Sequence, residues 1–320
     1  MDCDIVIQGG GVKGIAFAGA LTALTEVGYQ GRNFAGTSAG AMVAALLAAG
    51  YTADEITTQM QNVDYQKAMG ETLIDKFGIG GKSISLFDTY GIYNNNYIEN
   101  LMTKLLLRKG KRVFGDLPKF TANGNLRERY CNLCVTATDL TTGRLLILPD
   151  DLVDFGIDPA TFPIAKAVKA SISFPLFYEP VMLKDQNGLV HYLVDGGLIS
   201  SYPMFILDNG RSYLERAVIG LRFGESLPQI NEIKNFIDYV KSMVTTLVEI
   251  HDEAYSKVAK GDYERSIFIS TVLSNGQPIK TMQFDLSRED IADLYQNGLT
   301  AAREFLLNFN FYKWRQKFRL

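Results

Sequence analysis

Residues 36–40 read Gly36-Thr37-Ser38-Ala39-Gly40, and their flanks decide what they mean. Asn33 to Gly36 has strand character, while Ala39 to Ala49 is an uncharged run of small apolar residues with helical character. A serine between two glycines at a strand-to-helix turn is the context of a nucleophile elbow. Such a turn is strained, and its glycines let the strand and helix backbones approach where a Cβ would collide. Ser38 is thereby expected at a helix N-terminus, where the dipole and free N–H groups favour a developing negative charge. The five-residue string is weak alone, and the strand-turn-helix setting gives it weight.

Working outward, Asp4 to Gln8 reads as a first strand and Gly14 to Val27 as a helix, so the first fifty residues alternate as a βαβ unit does. The fold class expected is α/β with a mostly parallel central sheet. Further strands are expected at Tyr130 to Ala137, Arg144 to Leu148, Leu189 to Val194, Ala217 to Leu221 and Ser266 to Ser270. Thr141-Thr142-Gly143 reads as a hairpin turn between two of them. Helices are expected at Tyr97 to Leu107, Asn231 to Ala259 and Arg288 to Asn308. Between residues 64 and 120 glycine and asparagine clusters such as Gly78-Ile79-Gly80-Gly81 loosen the pattern, which marks a cap or lid insertion. The helix within it carries Ile98, Leu101, Met102, Leu105 and Leu106 at helical spacing, a stripe that suits a lid or ordinary core equally. No repeat or linker divides the chain, so residues 1–320 are expected to form a single domain.

A second glycine turn, Gly9-Gly10-Gly11-Val12-Lys13-Gly14, satisfies the G-x-G-x-x-G spacing of dinucleotide-binding proteins. That use requires a carboxylate ending the second strand, and Asn33-Phe34-Ala35-Gly36 supplies none. It is not a P-loop either, because Lys13 is followed by Gly14 rather than by Ser or Thr. Backbone N–H groups around Gly10 and Gly11 offered as an oxyanion hole would make sense of both turns together. The serine also needs a base, and the chain has two histidines. His191 is four residues before Asp195 on one strand, roughly 13 Å along it, so it cannot bridge Asp195 to Ser38. His251 lies within a polar-faced helical stretch and reads as an ordinary helix residue. Asp195, at a strand end before Gly196-Gly197, is the best-placed partner, and a carboxylate can act directly on a serine when an oxyanion hole carries much of the rate.

These three motifs occur in the order and spacing of patatin-like phospholipases, which the chain resembles over residues 5 to about 205. Gly91-Ile92-Tyr93, Phe114-Gly115-Asp116-Leu117-Pro118, Ala137-Thr138-Asp139-Leu140 and Ala170-Ser171-Ile172-Ser173-Phe174-Pro175 extend the likeness. The resemblance implies a three-layer α/β/α sandwich and a serine–aspartate dyad that releases fatty acid from phospholipids or related acyl esters without metal or cofactor. Ser38 and Asp195 would be the dyad. Gly9, Gly10, Gly11, Lys13 and Gly14 would form the oxyanion loop, with Lys13 at the family's basic position. Gly36, Gly40, Gly196 and Gly197 are its supporting glycines. Phe174, Phe177 and Tyr178 are acyl-pocket candidates, although aromatics beside a strand are often simply core.

With 47% hydrophobic residues in 320, a large core is available, and a formal net charge of −3 gives no global attraction to nucleic acid. Cys131 and Cys134 sit at an odd offset on a strand, which sends them to opposite faces and fits buried structural cysteines rather than a metal pair. The start Met1-Asp2-Cys3-Asp4 has no signal-peptide pattern and no stretch is long enough to span a bilayer, so a cytoplasmic protein is expected. A lipid substrate implies peripheral membrane contact. The tail from Phe305 to Leu320, with six aromatics, four cations and no acid, suits a headgroup boundary, though a last helix packed on the core with solvated basic residues accounts for it more simply. Rival readings are a nucleotide-binding module, a catalytically idle scaffold, or a membrane-damaging effector switched on by a ligand or protein partner.

Overall fold

β-Branched and apolar runs alternate with helices of small residues in the first fifty positions, and in the computed structural model each takes the form its period dictates. The structure describes residues 1–69, 90–210, 212–224 and 261–319, with scattered positions between 233 and 246. Strand β1 (Asp2–Ile7) leads through a turn to helix α1 (Ile15–Glu26). Strand β2 (Gln30–Gly36) then leads through Thr37 and Ser38 to α2 (Ala39–Ala48). Helices α3 (Ala53–Gln61) and α4 (Tyr65–Ala68) follow, α3 beginning with a Thr52–Glu55 capping box. Next come β3 (Gly91–Tyr93), α5 (Asn96–Arg108), the hairpin β4 (Leu133–Asp139) and β5 (Arg144–Leu148), and α6 (Ile164–Ile172). Strands β6 (Leu176–Tyr178), β7 (Val181–Lys184), β8 (Val190–Asp195), β9 (Ala217–Phe223) and β10 (Ser266–Ile269) precede α7 (Arg288–Asn308) and α8 (Phe311–Phe318). Most of the expected helix at Asn231 to Ala259, including His251, and the glycine cluster at 78–81 lie outside the described residues.

The main sheet is mixed, in the order β10-β9-β1-β2-β4-β8-β7 with β5 also on β4. The first five strands of that order are parallel, as the βαβ pattern requires, whereas β5 and β8 both run antiparallel to β4. One edge of β4 is taken throughout by β5, with partners from Val135 to Asp139. The other edge is shared. β2 occupies it where Gly36 faces Val135, and β8 takes over where Asp195 faces Ala137. The chain ends of β2 and β8 are thus held two residues apart along a common neighbour, roughly 7 Å.

Side chains alternate across the sheet as the pleat demands. Cys3, Ile5 and Ile7 enter the large core under α1, α2, α6 and α7, while Val6, Ala35, Cys134 and Val218 enter a smaller one with Met204, Ile206 and Trp314. Cys131 and Cys134 fall in different cores, buried and unpaired by disulfide. The stripe on α5 packs inward at Ile98, Met102, Leu105 and Leu106, and Tyr51 donates its hydroxyl to the Leu105 carbonyl at 2.7 Å. Helices α1 and α7 cross at two glycines. A Cβ on Gly19 would stand 2.0 Å from the Tyr295 carbonyl oxygen, and one on Gly298 would stand 1.8 Å from that of Ala16. Backbone cannot yield as a side chain does, so Gly298→Val should cost about 1–3 kcal/mol by overpacking. Denaturant unfolding measures this, and an unchanged midpoint would contradict the crossing.

Candidate active site

The turn after β2 is built by close approach. A Cβ on Gly36 would lie 2.4 Å from the Gly40 carbonyl oxygen, and one on Gly40 would lie 2.3 Å from that of Ile7. Only glycine at both positions lets α2 start this close to β1 and β2. Ser38 between them is forced to φ 54°, ψ −125°, a conformation that costs a non-glycine residue on the order of 1–3 kcal/mol. Neighbours hold the strain in place. The Ser38 N–H donates to Ser171 Oγ at 2.8 Å, Thr37 N–H donates to the Ile7 carbonyl, and Thr37 Oγ1 lies 2.6 Å from Thr136 Oγ1.

Asp195 ends β8 and caps the following turn, its Oδ1 accepting from Gly197 N–H at 2.7 Å. Its backbone N–H donates to the Ser173 carbonyl, which ties it to the α6 end that also supplies Ser171. The Ser38 hydroxyl is near enough to the carboxyl to favour its ionised form. Burial pushes the Asp195 carboxyl up to about 6, and the Gly197 N–H and Ser38 hydroxyl oppose that rise. Gly196 and Gly197 form the turn that follows, and a Cβ on Gly196 would meet Thr136 Oγ1 at 2.3 Å.

The Gly9 to Gly14 turn lies against this pair, with the Cβ position of Gly9 3.2 Å from Ser38 Cβ. Gly9 N–H donates to the Ser201 carbonyl and Lys13 N–H to the Gly10 carbonyl, while Gly14 stands outside the cavity wall at the start of α1. Among the described residues, the N–H groups of Gly10 and Gly11 have no acceptor, nor has that of Ala39, the residue after the serine. Gly11 has φ +57° with the Thr281 carbonyl where a Cβ would be, so a side chain there is doubly excluded. Lys13 is buried with its ammonium over the Phe223 ring at 4.7 Å. Strand β2 ends without a carboxylate, as a nucleotide ribose would need.

Ser38, Ala39, Asp195, Gly197 and the turn from Gly9 to Lys13 line one cavity of about 560 Å³. Its apolar wall includes Met42, Met60, Ile98, Ile172 and Phe284. Phe174 and Tyr178 line it too, whereas Phe177 stands behind, stacked on Phe284 at 5.7 Å and tilted against Tyr93. Arg222, Phe223, Tyr263 and Phe268, which also line it, come from the part of the chain beyond the motifs. Ser171, Ala39 and Arg222 were not legible as site residues. Ala39 had a signal in its place after the serine, and the other two depend on long-range pairing. His191 is not at the site, since its Nδ1 lies 2.8 Å from Asp139 Oδ2 in the sheet.

The aromatic-basic tail is a packed helix. Trp314 is buried, donates Nε1–H to the Gly261 carbonyl and is flanked at 4.8 Å by the guanidinium groups of Arg265 and Arg319. Arg315, Lys317 and Arg319 bond to Leu214, Glu264 and Asp208. No helix among the described residues is long and apolar enough to cross a membrane, and none of their acidic, histidine and cysteine side chains group as a metal site.

Comparison with known proteins gives this geometry a context. A family model for patatin-like phospholipases matches residues 5–208. An uncharacterized protein of Bacillus subtilis, YqhO, is 34% identical over 314 residues, covering 97% of this chain and all of that one. A probable lipid hydrolase of Invertebrate iridescent virus 6, 463L, is 23% identical over 203 residues, 63% of this chain and 62% of that one. Among solved structures, VipD from Legionella pneumophila superposes with a TM-score of 0.51 at 18% identity over 95% of this chain and 66% of its own. That last likeness is one of fold.

An ionised Asp195 costs stability. With the folded carboxyl at about 6 and its ordinary value at 3.8, the native state binds the extra proton between those pH values. Stability contributed by the protonated form is therefore full below about pH 4 and lost as pH rises through 6, a penalty on the order of 3 kcal/mol. Asp195→Asn should accordingly melt higher than the wild type at pH 8, with the gap closing toward pH 4. A gap independent of pH would contradict the assignment.

Proposed function

Because this chain belongs to the patatin-like phospholipase family, we propose that it is a lipid acyl hydrolase in which Ser38 is the nucleophile and Asp195 its only acid–base partner. The observation that carries this reading is the convergence of the strained Ser38 and the buried Asp195 carboxyl, whose proton affinity the Ser38 hydroxyl lowers, on the wall of one cavity beside unpaired backbone N–H groups. Ser38 Oγ attacks the ester carbonyl as its proton passes to Asp195. The oxyanion collects the N–H groups of Gly10, Gly11 and Ala39, which cost no reorganisation because the glycine turn and the α2 N-terminus already hold them. Collapse breaks the ester C–O bond, and the proton on Asp195 leaves with the alcohol. Water then repeats the sequence on the acyl-serine and frees the fatty acid.

A carboxyl at about 6 is a better base than an exposed aspartate, since its proton affinity is nearer the working pH. The acyl chain fits the wall with Met42, Met60, Ile98 and Phe174. Substrates of this kind are presented at a lipid surface, so the protein works there as a peripheral visitor.

Fatty-acid release from mixed phospholipid vesicles tests the reading. Ser38→Ala and Asp195→Asn should each lower release by roughly a thousandfold or more while remaining folded. Release by the wild type should fall away below about pH 6 as Asp195 takes up its proton. Activity surviving in Ser38→Ala would overturn the mechanism.

A further inference from the structure

Ser38 lies off the sheet, so strand pairing does not by itself fix where its hydroxyl stands. Strand β2 is paired with β4 only as far as Gly36, and the Ser38 carbonyl accepts from Ala41 and Met42 within the helix that the serine begins. Its N–H crosses to another element. It donates at 2.8 Å to Ser171 Oγ on α6, 133 residues along the chain. Ser171 is fully buried, on a helix whose other buried residues are Ile164, Ala165, Ala167, Val168, Ala170 and Ile172. A hydroxyl in such company costs stability unless it is bonded, and alanine would fill the place as well. Among the described residues the Ser171 side chain makes no other hydrogen bond, so its hydroxyl serves the elbow alone.

Two residues on, the same helix end holds the other half of the pair. The Ser173 carbonyl accepts the Asp195 N–H at 2.9 Å. Ser173 is itself locked, since its hydroxyl donates to the Lys169 carbonyl and accepts from Asn95 Nδ2, each at 2.8 Å. Asn95 stands at the start of α5, and Lys169 Nζ reaches Glu99 Oε2 on that helix at 2.7 Å, so α5 anchors the end of α6. A single stretch of three residues thus grips the backbone of Ser38 at one end and of Asp195 at the other, and Ile172 between them lines the cavity. We propose that Ser171 is a positioning residue for the reaction: by accepting the Ser38 N–H from the helix end that also holds Asp195, it sets the distance at which the serine hydroxyl meets the carboxyl. This rests on the reading of Ser38 as nucleophile and Asp195 as base. Reacting groups tolerate little displacement, and about 1 Å can cost on the order of a hundredfold in rate.

The test compares Ser171→Ala with Val168→Ala, which opens the packing of the same helix one turn earlier at an equally buried position without touching the elbow. Hydrolysis of a soluble p-nitrophenyl acyl ester is followed against pH, together with hydrogen exchange at the Ser38 amide read by mass spectrometry. Ser171→Ala should lower kcat by roughly tenfold to a hundredfold and leave KM within about threefold. Val168→Ala should lower the melting temperature at least as far, yet keep kcat within about threefold of the wild type. The Ser38 hydroxyl opposes the rise in Asp195 proton affinity, so a displaced hydroxyl lets the acid limb of Ser171→Ala climb above about pH 6, while that of Val168→Ala stays. The Ser38 amide should be protected from exchange in the wild type and in Val168→Ala, and lose its protection in Ser171→Ala. An unchanged kcat in Ser171→Ala, a fall matched by Val168→Ala, or a fall with the acid limb unmoved would each overturn the positioning role. An inactive wild type whose Ser38 protection still depends on Ser171 would overturn the hydrolase reading alone, and an active wild type with Ser38 exchange indifferent to Ser171 would overturn the positioning role alone.

Discussion

One edge of β4 serves two partners, and the site depends on that division. β2 occupies the edge as far as Gly36 and β8 takes it from Asp195 onward, so two chain ends remote in sequence meet along a single strand. Had β2 continued by two residues, its ladder would have filled the place of Asp195. The glycine-flanked turn prevents this by lifting the chain off the sheet at Thr37 and Ser38, where α2 begins. The same constraint explains why Asp195 is buried: it sits between strands, under α6, and not on a rim. Burial raises its proton affinity, and the strained turn at Ser38 brings the serine to the same cavity wall.

Legibility in the sequence followed the range of the interaction. Gly36 to Gly40 and Gly9 to Gly14 could be read because turns are written in adjacent residues. Helix α7 could be read to its ends from Arg288 to Asn308, since a capping serine precedes an amphipathic run. The βαβ alternation gave the parallel half of the sheet. The antiparallel half was less visible, because a strand's period states its faces and not its direction or neighbour. Strand β7 and the short β6 escaped notice in the run after Pro175, where aromatics gave no clear period. The same limit hid Ser171, whose role arises only when α6 is laid over the elbow, and Arg222, which borders the cavity because β9 pairs with β1.

The tail illustrates how one composition admits two readings. Six aromatics and four cations suit a bilayer surface, yet Trp314 fills a gap in the smaller core and three of the cations bond within the fold. Arg265, itself buried, joins Asp208 and Asp262 to that helix, next to the chain that starts β10. Phe268 on β10 borders the cavity that Ser38 also lines, so this helix steadies a strand of its wall.

The pairing of β1 carries a consequence for how the molecule is made. Its neighbours are β2, some thirty residues on, and β9, more than two hundred residues on. Helix α1 likewise crosses α7 near the other end of the sequence. Contacts of such separation are closed late and slowly. On the ribosome, therefore, the serine emerges long before its surroundings can form, and the central strand stays half-paired until most of the protein has been synthesised. Assembly of the cavity waits for β9 and β10, and a fragment ending after the recognisable motifs would expose a raw edge of β1 in place of a finished wall.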